Sequence, residues 1–139
     1  MSIFVATSYS SKVDYTSGQV FPEYQRWLED ILITLERAGY EVFCALRDDK
    51  YIINDANPAT AFRLDTAAIK RSDALLALLD DHTSAGVQLE IGYALALGKK
   101  IYLAHLPEHQ LTYINKAVVR TGLAKELLLP LSALEHLTL

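Results

Sequence analysis

The chain is poor in the residues that staple a protein or carry it across a membrane. It has one cysteine, Cys44, among 139 residues, which excludes an intrachain disulfide and a thiolate zinc cluster and fits a reducing, cytoplasmic setting. No apolar run approaches the roughly 18 residues of a membrane span, and the start Met1-Ser2-Ile3-Phe4-Val5-Ala6-Thr7 lacks the basic region of an export signal. Charge of one sign is not concentrated either. Thirteen Lys and Arg face seventeen Asp and Glu, for a net charge of −4, without the basic stripe that duplex nucleic acid requires. The histidines His82, His105, His109 and His136 show no metal-ligand spacing on one element, so they read as solvated side chains. Four prolines and six glycines leave no linker. A single domain over residues 1–139, with no metal and no organic cofactor, is the expectation.

What is present is an alternation of two periodicities. Ile3-Phe4-Val5-Ala6 reads as a buried strand running into the polar stretch Thr7-Ser8-Tyr9-Ser10-Ser11. Phe21, Tyr24, Trp27, Leu28, Ile31, Leu32 and Leu35 recur at helical spacing between Pro22 and Gly39. A strand follows over residues 40–45, then a polar loop over residues 46–57, then helix 59–71, strand 74–79, helix 86–97, strand 101–104, helix 113–120, a short strand near 127–129 and a last helical turn from Ser132. Strands that are apolar on both faces and separated by helices belong to parallel sheets covered on both sides. This predicts an α/β, flavodoxin-like doubly wound sheet of five strands in the order 2-1-3-4-5. Ligands bind such sheets at the carboxyl ends of the first and third strands, here residues 7–11 and 80–86.

One carboxylate breaks the pattern. Helix 86–97 carries Val87, Leu89, Ile91, Tyr93, Ala94, Leu95, Ala96 and Leu97, so it should be buried on most of its surface, yet Glu90 sits in its middle. The neighbours of Glu90 at three and four positions are Gly86, Val87, Tyr93 and Ala94, none of them cationic. Two accounts stand open: a solvated carboxylate at a crevice edge, or a buried one with raised pKa and a chemical task. Gly92, which costs about 1 kcal/mol mid-helix, fits close approach of a backbone or ligand.

The segment Ser72-Asp73-Ala74-Leu75-Leu76-Ala77-Leu78-Leu79-Asp80, followed by Ser84-Ala85-Gly86-Val87-Gln88-Leu89-Glu90-Ile91-Gly92 and closing in Gly98-Lys99, resembles the signature of the nucleoside 2-deoxyribosyltransferase family: an apolar strand, a polar loop and a Gly-x-x-x-Glu-x-Gly helix. The resemblance implies that Glu90 is the nucleophile at the anomeric carbon of a nucleoside, or stabilises its oxocarbenium-like transition state. It implies that Asp65, eight residues before Asp73, holds the sugar hydroxyls or the base, and that Asn115 reaches into a neighbouring subunit's site. A homodimer or larger homo-oligomer follows as an expectation.

Within that family, Ser84 resembles the hydrolase branch that acts on nucleoside 5′-monophosphates, where transferases of free nucleosides carry an aspartate. Ser8 matches a hydroxyl residue of the same branch. Ser8, Tyr9, Ser84 and Gly86 are thus the expected substrate contacts, with hydroxyls and the helix N-terminus facing a phosphate. Two positions depart from the family: Phe4 replaces a tyrosine that steadies the catalytic carboxylate, and Ser10 replaces an arginine. Tyr9, Lys12 and Arg47 are the candidates to take over those roles. The expected activity is N-glycosidic hydrolysis of a nucleoside 5′-monophosphate. Base exchange between 2-deoxynucleosides, NAD glycohydrolysis and nucleotide sensing without turnover stand as alternatives.

Overall fold

Ser2–Thr7 forms the first strand, β1, because its residues are apolar on both faces and so require cover above and below. The computed structural model, which describes residues 1–8, 11–53, 57–80 and 84–129, provides that cover. A hairpin of β2 (Val13–Asp14) and β3 (Gln19–Val20) leads to helix α1 (Pro22–Arg37), then β4 (Glu41–Phe43) and short α2 (Ala45–Asp48). Helix α3 (Pro58–Arg71), β5 (Ala74–Leu78), α4 (Ala85–Ala96), β6 (Lys100–His105), α5 (Tyr113–Arg120) and β7 (Lys125–Leu128) complete the described chain. The main sheet is parallel throughout, in the order β4-β1-β5-β6-β7. That is the expected 2-1-3-4-5 winding.

The pleat divides the core into two layers. Ile3 and Val5 of β1 face Leu28, Ile31, Leu32 and Leu35 of α1, while Phe4 and Ala6 face Ala68 and Ile69 of α3 and Val87, Ile91 and Ala94 of α4. The four α1 side chains are fully buried, each worth about 1.5–3 kcal/mol of apolar burial. Local chemistry sets the helix ends. Asn57, Ser84 and Thr112 cap α3, α4 and α5 by accepting from the N–H groups of Thr60, Val87 and Asn115. The Asp73 carboxylate accepts from the Ser2 N–H at 2.8 Å and pins the start of β1 beside β5.

Three expectations need correction. The hairpin β2–β3 was not legible, because two-residue strands carry no periodicity. The segment after Cys44 is not all polar loop: Ala45–Asp48 is helical, Leu46 and Tyr51 are buried, and the Tyr51 hydroxyl donates to Glu29. Helix α4 is buried along one stripe only, since Ala85, Gly86, Leu89, Gly92, Ala96 and Leu97 are exposed. One sheet face covers a single side of a helix, whatever the helix carries on its other side. A Cβ on Gly92 would meet nothing within 4 Å, so no close approach within the described chain explains that glycine. The last helical turn from Ser132 lies outside the described residues.

Candidate active site

Two recesses open at the carboxyl end of the sheet. The larger, of about 760 Å³, is lined by Phe4 and Thr7 of β1, Phe43 of β4, Asp48 and Asp49 at the end of α2, Phe62 and Asp65 of α3, and Glu90 of α4. It exists because the first half of α3 stands off the sheet: Phe62 and Leu64 are exposed, whereas Ala68 and Ile69 are packed. The lower wall is closed by the chain after α2, where Lys50 and Tyr51 both take positive φ. Such residues cost of order 1–3 kcal/mol each, and here the bonds from Val20 N–H to the Tyr51 carbonyl and from Ile53 N–H to the Gly18 carbonyl hold them.

Glu90 and Asp65 share this recess. Burial, and then the charge of Asp65, pushes the Glu90 carboxyl up to about 8. Burial, and then Asp49 and Asp48, pushes Asp65 up to about 6. Among the described residues neither carboxylate has an ion-pair partner, and Glu90 is half-buried, which fits a carboxylate with raised pKa in the recess. Between about pH 6 and 8 the pair holds one proton. Phe4 closes the floor and supplies no hydroxyl. Arg71 lines the same recess with its guanidinium 4.8 Å from the centre of the Phe43 ring. It had no prominence among the candidates, because a cation in the last turn of a helix reads as a partner of the helix dipole.

The smaller recess lies between the ends of β5 and β6, the start of α4 and α5. It is lined by Ser8, Asp80, Ser84, Gln88, Thr112 and Asn115 among others. The Ser84 hydroxyl accepts from Val87 N–H at 3.2 Å, which leaves its own proton free to donate. A Cβ on Gly86 would meet only Ser84 Oγ, at 3.9 Å, so the space over the first turn of α4 is open. Asn115 is fully buried and exchanges two amide hydrogen bonds with Gln88, at 2.9 and 3.1 Å. Within this chain, then, its amide is turned to its own α4.

The structure therefore divides the expected residues into two groups, Asp65 with Glu90 and Ser8 with Ser84, Gly86 and Asn115. The Thr7–Ser8 step joins them, Thr7 lining one recess and Ser8 the other. Tyr24 of α1 clamps that step: its hydroxyl bonds to Thr7 Oγ1 and donates to the Ser8 carbonyl at 3.1 Å. Nothing set Tyr24 apart in the sequence, where it belongs to an apolar helical stripe. Lys12 lies over the Tyr24 ring and 3.8 Å from Asp80, offsetting an acid at the mouth of the smaller recess. Arg47 pairs with Glu36 at 2.6 Å and does not line either recess. Tyr9, Ser10 and His82 lie outside the described residues.

The remaining candidates fall away from the site. His105 is buried rather than solvated, and its ring nitrogens contact the Leu106 carbonyl and Glu126, both at 2.7 Å. Burial works against its charged form, but those contacts outweigh it and raise the pKa. Burial pushes the Cys44 thiol up to about 11, which makes it unreactive. Among the described residues no three His, Cys, Asp or Glu side chains gather as a metal-binding group, and none of the helices is long and apolar enough to cross a membrane.

The profile of the nucleoside 2-deoxyribosyltransferase family matches residues 15–126. Among solved structures, the chain is similar to the Clostridium botulinum CMP N-glycosidase BcmB, at 22% identity, with 97% of this chain and 96% of that one covered and a TM-score of 0.68. It is also similar to a 2-deoxyribosyltransferase from Bacillus psychrosaccharolyticus (16% identity, 99% and 93% covered, TM-score 0.73) and to BlsM (18%, 96% and 86%, 0.77). No curated protein sequence matches the chain.

Proposed function

Since the chain belongs to the nucleoside 2-deoxyribosyltransferase family, enzymes that act on nucleosides or nucleotides, we propose that it hydrolyses the N-glycosidic bond of a nucleoside 5′-monophosphate. The observation that carries this reading is the pair Glu90 and Asp65, both with raised pKa in one recess, beside a second recess of hydroxyls and amides at a helix start. The Glu90 carboxylate attacks the anomeric carbon, and the electrons of the carbon–nitrogen bond leave with the base. In the reactive tautomer of the singly protonated pair the proton has left Glu90 for Asp65, which passes it to the departing base. Water then attacks the same carbon, Glu90 is released, the pair regains a proton from that water, and sugar phosphate is formed. No step calls for a metal or an organic cofactor.

The phosphate belongs in the smaller recess. Ser8 and Ser84 offer hydroxyls, Gly86 leaves the start of α4 open, and the positive end of the helix dipole points there. Asp80 and Asp81 both stand near Ser84 in the sequence and oppose an anion there; pairing with Lys12 offsets Asp80, and Asp81 lies outside the described residues. The fold is shared with a protein named as a CMP N-glycosidase, which supports the monophosphate. It is also shared with a 2-deoxyribosyltransferase, so base exchange is the second reading. Chromatography of bases released from nucleosides, nucleoside 5′-monophosphates and NAD tests the first. Hydrolysis of monophosphates is expected; transfer to added free base, or no release at all, overturns it.

The exposed apolar face of α4 fits a second copy of the chain, and we take the working form to be a homodimer in the cytoplasm. Light scattering at micromolar concentration should give twice the chain mass. A monomer would remove this assignment.

A further inference from the structure

The larger recess is walled by acceptors. Asp48 and Asp49 come from the end of α2, Asp65 from α3 and Glu90 from α4, and Phe43 and Phe62 lie on the same wall. Among the described residues that line it, Arg71 is the single cationic side chain. The four acids do not converge on an ion, since no three of them form a metal-binding group among the described residues. They share the recess with aromatic rings, a lining that suits a flat ring with donating edges. The side chains of Asp48 and Asp49 enter no ion pair among the described residues and stand at the mouth. Both line the same recess as Asp65, and, after burial, their charges raise its pKa.

Building on the glycosidase reading, we propose that Asp48 and Asp49 select bases that carry an exocyclic amino group, of the cytosine or adenine type, over their oxo counterparts. An amino group donates a charge-assisted hydrogen bond to a carboxylate. An oxo group in its place turns lone pairs toward the same carboxylate and leaves it unpaired on desolvation. Discrimination of about tenfold to a hundredfold is expected, below that of a fully enclosed site because both aspartates are exposed at the mouth.

Base release is measured from cytidine and uridine 5′-monophosphates, and from adenosine and inosine 5′-monophosphates, for the wild type, Asp48→Asn, Asp49→Asn and the double variant. The wild type should favour the amino member of each pair in kcat/KM. The double variant should lose most of that preference in the ratio of kcat/KM values, because an amide can donate where a carboxylate cannot; the fall in the Asp65 pKa on removing both charges acts on the two members alike and leaves the ratio unaffected. Release of both members at equal rates, or an unchanged preference in the double variant, overturns this inference and leaves the glycosidase reading standing. If no monophosphate is cleaved, the glycosidase reading fails, and calorimetric titration with free cytosine and free uracil still decides the selectivity. Tighter binding of cytosine, weakened in the double variant, supports it. Equal binding, or binding of neither, overturns it.

Discussion

The two recesses share the Thr7–Ser8 step but are built from opposite chemistry. The larger is aromatic and acidic, and its carboxylates Asp65 and Glu90 are pushed to about 6 and about 8, first by burial and then by Asp49 and Asp48 on Asp65 and by Asp65 on Glu90. The smaller is lined by hydroxyls, amides and a helix start, and Asp80, the one acid among the described residues that line it, is offset by a lysine. The difference points to a division of labour. A site that must ionise and protonate groups at neutral pH buries its acids beside other acids, with Arg71 set against the Phe43 ring, whereas a site that must hold an anion supplies uncharged donors and keeps acids paired. Helix α4 serves both, with Ser84 at its cap facing one recess and Glu90 further along facing the other.

The comparison breaks most visibly at Glu90. Glu90→Gln keeps the shape and removes the nucleophile, so base release should fall by at least about a thousandfold, some 4 kcal/mol in the barrier. Retention of a tenth of the rate would remove Glu90 from the chemistry. In the wild type, kcat/KM should rise through about pH 6 and fall through about pH 8, because the active form holds a single proton on the pair. The stability of the same group has a definite sign. Its folded pKa lies above its unfolded value, so its contribution is complete below about 4.5 and is lost as pH rises through about 8. Glu90→Gln is neutral at every pH, and its melting temperature should exceed that of the wild type by a few degrees above pH 8. An unchanged difference between pH 5 and 9 would show that Glu90 is solvated.

A smaller effect is expected at the other recess. Ser84→Asp keeps a helix cap and adds a charge, so it should preserve folding and cut kcat/KM for a nucleoside 5′-monophosphate by about tenfold to a hundredfold, with little change for the nucleoside itself. A variant that still prefers the phosphate would move the anion elsewhere. The pH limits at about 6 and 8 should not shift, because they belong to the larger recess.

Much of this was legible in the residues. The strand order followed from β–α alternation, and Glu90 stood out because a carboxylate without a helical partner sat in an apolar helix. The remainder was hidden for identifiable reasons. Tyr24 has the spacing of a core residue, and only the path of the chain after β1 brings its hydroxyl to Thr7 and Ser8. Asp48 ends a helix of four residues and Asp49 is its C-cap, and so short an element carries no periodic signal. The exposed face of α4 could not be foretold, because apolarity states that a surface wants cover and not what covers it.

The smallest effect is expected at the amide pair that backs the smaller recess. Asn115 is fully buried, and its two bonds to Gln88 tie α5 to α4 one turn beyond Ser84. Asn115→Ala removes both bonds and leaves the Gln88 amide without them, at a cost of about 1–3 kcal/mol, so the melting temperature should fall by several degrees. If the pair acts only as a brace, kcat should change less than about threefold and KM for the monophosphate should rise modestly as the floor of its recess loosens. The resemblance carried Asn115 to a neighbouring subunit's site, and that role makes a different demand: loss of kcat with little loss of stability. Measuring melting temperature, kcat and KM on one preparation separates the two, since a brace moves the first and an intersubunit contact moves the second.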